Sequence, residues 1–139
     1  MELKRDSKGN VPFSLHDSRI MKIRFQKQSL ILEIDKMFQY TEKEEIIHTG
    51  KIEFTEIDID DCNILVFDQT VNEGNFSGKA ITLKDYIAQY SDAYFEILTE
   101  GYNGYCTIYS GWIWCPEKEP VSGIMNIWNI GEMIYKLDS

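Results

Sequence analysis

The chain has two histidines, and one stands directly before an aspartate: His16-Asp17, inside "FSLHDSRIMKIRF", Phe13 to Phe25. A histidine beside a carboxylate is the raw material of an acid–base pair, and serines flank it at Ser14 and Ser18. No GxSxG turn frames either serine. In an extended chain, adjacent side chains leave from opposite faces, so the pair does not converge. The favoured reading is a polar lead-in to a strand, with His16 hydrogen-bonded across a sheet. His48 lies far along the chain, and neither HExxH nor CxxC spacing occurs. No catalytic residue, metal site or cofactor is therefore expected.

Two further groups could do chemistry. In "EIDIDDCN" the carboxylates Glu56, Asp58, Asp60 and Asp61 crowd together. A calcium loop counted from Asp58 needs an oxygen ligand at position five, glycine at six and glutamate at twelve. Those positions hold Cys62, Asn63 and Gln69, so the match fails. Alternation with Ile57 and Ile59 fits a solvated strand edge instead. The three cysteines, Cys62, Cys106 and Cys115, are odd in number and sit in apolar runs. That pattern suits buried reduced thiols.

The strongest local feature is "GYNGYCTIYSGWIWC", where Tyr102, Tyr105, Tyr109, Trp112 and Trp114 fall together. If the strand alternates without interruption, Trp112 and Trp114 share a face with Ile108, and Tyr105 and Tyr109 share the other. Aromatic strands usually pack in cores. Exposed tyrosine and tryptophan are also the usual anchors of binding surfaces. Candidate binding residues are accordingly Glu53, Glu56, Asp58 and Asp60 in the acidic stretch, with Tyr102, Tyr105, Tyr109, Trp112 and Trp114.

The elements that would position them read as strands. "RIMKIRFQ" and "LILEID" alternate apolar and charged residues. A two-residue turn at Lys27-Gln28 pairs Phe25 with Leu30, Ile23 with Leu32 and Lys22 with Glu33. It puts Met21, Ile23 and Phe25 on the core face. "KIEFTEIDI" switches apolar parity, which suggests a bulge near Thr55-Glu56. "CNILVFD" reads as a central strand covered on both faces, and "QTVNEGNFSGKA" as a loop. "TLKDYIAQY" is a short helix near 82–91, capped by Thr82, with Leu83, Tyr86, Ile87 and Tyr90 on one stripe. Four more strand segments follow, joined by hairpin-length turns. The expectation is an α+β, mainly β domain over 1–139. About eight mostly antiparallel strands would form hairpin meanders, a sandwich or a partly open barrel.

Composition narrows the function. A hydrophobic fraction of 43% and a charged fraction of 27% are ordinary for a soluble domain. No apolar run reaches the ~20 residues of a spanning helix, and the N-terminus lacks a signal-like apolar core, so a cytoplasmic location is expected. The net charge of −9 is uneven: residues 1–29 carry seven basic and three acidic side chains, residues 30–139 seven and twenty. An acidic body repels phosphate backbones but steers basic proteins toward it.

The "LHDSRI" lead-in, the alternating hairpin and the late "YFEI…YNGY…SGWIW" strands resemble small uncharacterised bacterial proteins of immunity or accessory type. The resemblance implies a non-enzymatic cytoplasmic protein and no catalytic residues. The leading expectation is a non-catalytic module that binds a basic protein partner. A small apolar-ligand-binding β-barrel is the alternative, and an enzyme built on histidine and carboxylate the third. The oligomeric state stays open.

Overall fold

The computed structural model of the chain describes residues 1–6, 11–68 and 77–138. The elements run β1 (Glu2–Lys4), β2 (Arg19–Gln26), β3 (Ser29–Tyr40), β4 (Glu45–Phe54), β5 (Asn63–Phe67), β6 (Gly78–Thr82), α1 (Leu83–Gln89), β7 (Tyr94–Asn103), β8 (Cys106–Trp114), β9 (Val121–Trp128) and β10 (Met133–Leu137). A 3-10 turn at Ile59–Asp61 precedes β5. All ten strands join one open antiparallel sheet, ordered β1-β10-β4-β3-β2-β7-β8-β9-β5-β6. The protein is α+β and mainly β, as its alternation predicts.

The first hairpin has the register read from its charges. Lys22 pairs with Glu33, Ile23 with Leu32 and Phe25 with Leu30. Lys27 and Gln28 take φ of 50° and 63°, the left-handed pair that a type I′ turn demands, although neither is the usual Asn or Gly. One expectation fails. A register shift between Ile20 and Lys22 turns Met21 outward, 47% exposed, and Ile20 takes the core position.

β2 joins the two halves of the sheet. It pairs with β3 along most of its length but with β7 only through Arg19 and Ile20. One half is β1-β10-β4-β3-β2 and the other β7-β8-β9-β5-β6. Both contribute inner rows to a single apolar core, among them Leu30, Leu32, Ile52 and Tyr135 from the first and Phe95, Tyr109, Ile113 and Met125 from the second. Residues 55–62 tie the halves together. The Ile57 amide donates to the Gln28 carbonyl and the Asp58 amide to the Trp128 carbonyl. The parity switch at Thr55-Glu56 is therefore no bulge; β4 ends at Phe54 and the chain leaves the sheet there.

Two short strands escaped the sequence reading. β1 is three residues long, and β6 begins at Gly78 within the expected loop; residues 69–76 of that loop lie outside the described residues. β5 is covered on one face, not two: Ile64 and Val66 are buried, while Leu65 and Phe67 are half-buried on the outside. It lies next to the edge strand β6, which has little to cover it with.

The helix forms where its cap predicts. Thr82 Oγ1 accepts the Asp85 amide at 3.1 Å, and Leu83 and Tyr86 are buried. Tyr90 stacks on Tyr86 with ring centroids 4.7 Å apart. Gly111 and Gly123 pair directly across β8 and β9. A Cβ on Gly123 would come within 2.6 Å of the Ile113 side chain, so the bare backbone makes room for that core residue.

Candidate protein-binding surface

β8 sorts the aromatic residues by parity. Thr107, Tyr109 and Ile113 point inward and are buried, while Ile108, Trp112 and Trp114 occupy the outer face. Tyr109 is fully buried and belongs to the core, so it offers nothing to a partner. Trp114 stacks on Tyr94 at 6.0 Å, and the Arg19 guanidinium lies over the Tyr94 ring at 4.8 Å. Tyr102 faces inward and is half-buried. Tyr105, in the turn after β7, is 61% exposed.

A buried polar nest holds that turn in place. The Tyr102 hydroxyl donates to Glu100 Oε1 at 2.6 Å, and Glu100 Oε2 accepts the Leu15 amide at 2.9 Å. Arg5 lies 5.0 Å from the Tyr102 ring centroid and donates to the Gly104 carbonyl at 3.4 Å. The Tyr109 and Tyr135 hydroxyls lie beside Tyr102 but meet no group in hydrogen-bond geometry. Burial, above all, drives these three phenols well above their ordinary pKa.

Next to the turn, the end of β9 meets the crossing segment. The Asn129 amide donates to the Tyr105 carbonyl, and the Ile130 amide to the Glu56 carbonyl. The buried Asn129 side chain donates to the carbonyls of Thr55 at 3.2 Å and Glu132 at 3.1 Å. This bonding sets three large apolar side chains at one end of the molecule: Tyr105, Trp128, 44% exposed, and Ile130, 68% exposed. Beside them runs the segment that bears the exposed carboxylates of Glu56, Asp58, Asp60 and Asp61, tied to this end by the Ile130–Glu56 and Asp58–Trp128 backbone bonds. Glu56 has φ of 48°, a strained turn that carries the chain round this corner. A hydrogen bond shared with Asp61, reinforced by partial burial and the neighbouring charges, holds the Asp58 carboxyl above its usual range. A pocket of about 250 Å³ opens beside the patch, with Arg5, Tyr105, Asn129 and Glu132 in its wall.

No family model, curated protein or solved structure matches the chain.

The structure brings Tyr105, Glu56, Asp58 and Asp60 to one place, and puts Trp112 and Trp114 together on the neighbouring outer face. Glu53 lies apart, on the outer face of the other half, bound to Lys136 Nζ at 3.0 Å. Trp128 and Ile130 went unnoticed in the sequence because "NIWNIG" looks like an ordinary strand end. The available signal was parity: the inward row runs Met125, Ile127, and a tryptophan one place on must face out.

His16 and Asp17 do touch, Nδ1 to Oδ2 at 2.9 Å, contrary to the extended-strand argument. Asp17 has φ of 65°, and the Ser18 amide closes a turn onto the Leu15 carbonyl, which brings the neighbours together. Both side chains are more than half exposed. His48 Nε2 and Gln39 Oε1 share a hydrogen bond at 2.9 Å, and the His48 ring meets Phe13 edge-on. Among the described residues, no three His, Cys, Asp or Glu side chains gather as a metal site, and no helix is long and apolar enough to cross a membrane. Cys62 is buried, and desolvation pushes its thiol up to about 11. Its Sγ accepts the Trp128 amide at 3.2 Å, so the thiol braces the backbone at Trp128.

Proposed function

We propose that the protein is a non-catalytic binding module that engages a basic protein partner through Tyr105, Trp128 and Ile130 and their acidic margin. The observation that carries this reading is the exposure of those three apolar side chains at the end of the molecule where the segment with four exposed carboxylates is bonded to Trp128 and Ile130. An apolar centre rimmed by charge is the anatomy of a recognition site: the centre sets the dissociation rate, the rim sets encounter and register. The crowding that raises Asp58 is relieved when a lysine or arginine docks beside it. Binding therefore weakens as pH falls and the Asp58 carboxyl protonates. A role of bacterial immunity or accessory type in the cytoplasm fits such a module, and the acidic surface argues against nucleic acid as partner.

The test is affinity capture on immobilised protein, repeated with Trp128→Ala and with Asp58→Lys/Asp60→Lys. The expected result is a retained basic protein that dissociates at least about tenfold faster from Trp128→Ala. The charge-reversed variant should associate more slowly, and the wild-type affinity should fall steeply with salt. Retention that is equal in all three proteins would overturn the assignment.

A second reading has one observation in its favour. Ile20, Ile23, Tyr86, Ile87, Tyr90 and Phe95 line an apolar depression of about 180 Å³ between α1 and β2. It is smaller than the ~300 Å³ at which ligand pockets usually begin. A copurifying apolar molecule seen by native mass spectrometry, and lost in Tyr90→Ala, would favour it.

A further inference from the structure

The outward rows of β7, β8, β9 and β5 are unlike the rest of this chain. In a protein with net charge −9, they carry a single charged residue, Glu96, and Arg19 of β2 answers it with Nε to Oε1 at 3.7 Å. The other outward positions are aromatic, aliphatic or neutral polar. Trp112 lies opposite Glu96, and Trp114 opposite Tyr94. Ile124 sits between Ser110 and Leu65, and Ile108 is 38% exposed beside Asn126. The opposite half of the sheet shows what a solvated outer face looks like here: Lys4 pairs with Glu132, Lys136 with Glu53 and Arg24 with Glu33.

We propose that this neutral face packs on the same face of a second copy, making a twofold-symmetric dimer of two stacked sheets. Charge selects the occupant. A partner that brings charged side chains to this face would leave them desolvated and unpaired, at a steep cost. A second copy brings the same neutral rows, and an isologous contact requires that self-complementarity. Aligned sheet packing at about 30° lets such rows interdigitate. The area suffices. The four strands are 10, 9, 8 and 5 residues long, and at about 3.3 Å per residue and about 4.8 Å between strands they cover roughly 510 Å² per copy. The total of about 1,000 Å² only just reaches what a specific interface needs and lies at its weak end. The dimer is therefore reversible.

The dimer also reverses the salt dependence of the proposed partner site. Two copies of charge −9 repel each other, while the face they share holds no net charge, its one carboxylate, Glu96, being answered by Arg19. Raising salt from about 20 mM to about 500 mM removes the repulsion and strengthens the dimer. Trp128 ends the outward row of β9 and so borders both surfaces, but partner binding at the acidic patch weakens over the same range of salt, so the two ideas fail separately.

Sedimentation equilibrium of the full chain across micromolar concentrations tests the proposal. A monomer–dimer equilibrium that tightens several-fold with salt is expected. Ile124→Lys should raise the dimer's dissociation constant at least about tenfold, while Ile134→Lys, the same change on the outer face of β10, leaves it unaltered. Ile108→Lys repeats the test at a more exposed position, where the fold tolerates the change, with circular dichroism confirming native structure. A chain that stays monomeric throughout overturns the proposal, and so does a dimer indifferent to both Ile124→Lys and Ile108→Lys.

Discussion

The two halves of this sheet are alike within and opposite without. Their inner rows are equally apolar and share one core. The outer face of β1-β10-β4-β3 is laced with ion pairs, among them Lys4–Glu132 at 2.7 Å and Lys136–Glu53 at 3.0 Å. The outer face of β7-β8-β9-β5 carries tryptophan, tyrosine and isoleucine. Exposed pairs of this kind each stabilise a protein by only ~0.2–1 kcal/mol, so the charged half gains little in stability from them. What they do is keep that face wet and its edge strand β1 unattractive to other strands. The lesson concerns the alternation itself. Every second residue is committed to the core, and the remaining row is free to specialise either for water or for contact.

The largest effect should come from the inner rows and test whether the halves are one unit. Leu32→Ala in β3 and Ile113→Ala in β8 each remove a fully buried side chain from the common core. Each should cost roughly 2–5 kcal/mol. Both variants should unfold in one denaturant transition, at the same midpoint by tryptophan fluorescence and by circular dichroism. Tryptophan reports the aromatic half alone, so separated midpoints would divide the molecule at β2.

Alkali should loosen both halves together. Burial raises Cys62 from 9.0 to about 11 and holds Tyr86, Tyr102, Tyr109 and Tyr135 above 10.0. Below about pH 8 all of these groups keep their protons in the folded and unfolded chain alike, so stability is at its full value. As pH climbs past 9 and 10 the unfolded chain releases protons first, and stability falls up to and beyond pH 11. The urea midpoint should drop steadily between pH 8 and pH 11 by this linkage. Tyr135→Phe should flatten that drop and, having removed a hydroxyl without a partner, cost little at neutral pH. A midpoint level through pH 11 would mean that the phenols reach solvent.

How much of this was legible follows from where the information lies. The β2–β3 register could be read because two signals agreed, apolar alternation and the Lys22–Glu33 charges. The helix was legible from Thr82 and its stripe. β1 and β6 were not, because a short edge strand buries at most one row and needs no hydrophobic run. The His16-Asp17 contact was missed because nothing in the sequence marks Asp17 as left-handed. The Glu100–Tyr102–Leu15 nest and the Tyr105–Trp128–Ile130 patch depend on partners from four separate stretches of chain. Local pattern carries no trace of such meetings. The acidic run was noticed, but the apolar residues beside it were not.

A smaller effect should come from the β2–β3 turn. Lys27 and Gln28 hold positive φ without being glycine or asparagine, at a cost of about 1 kcal/mol each. Lys27→Asn/Gln28→Gly supplies the residues that the turn prefers and should raise stability by roughly 1 kcal/mol. Equilibrium denaturation checks this. A loss of stability instead would show that the Lys27 and Gln28 side chains make contacts worth more than the backbone strain.

The smallest effect sharpens the comparison most, because it sets one ion pair in each half against the other. Arg24 Nη2 lies 2.9 Å from Glu33 Oε1, with both side chains about one-third exposed. Arg19 Nε lies 3.7 Å from Glu96 Oε1, a longer contact, but Glu96 is only 18% exposed and Arg19 also covers the Tyr94 ring. A double-mutant cycle to alanine should give about 0.3–1 kcal/mol for the Arg24–Glu33 pair, fading with salt. The Arg19–Glu96 coupling should be similar in dilute protein, since the cation–π contact offsets the poorer geometry. The two then diverge. If a second copy covers the aromatic half, water leaves the Arg19–Glu96 pair as the dimer forms, and its coupling grows with protein concentration. The Arg24–Glu33 value should not change. Equal behaviour of the two pairs across concentration would mean that both outer faces stay wet, and that the aromatic face differs from the charged one in composition alone.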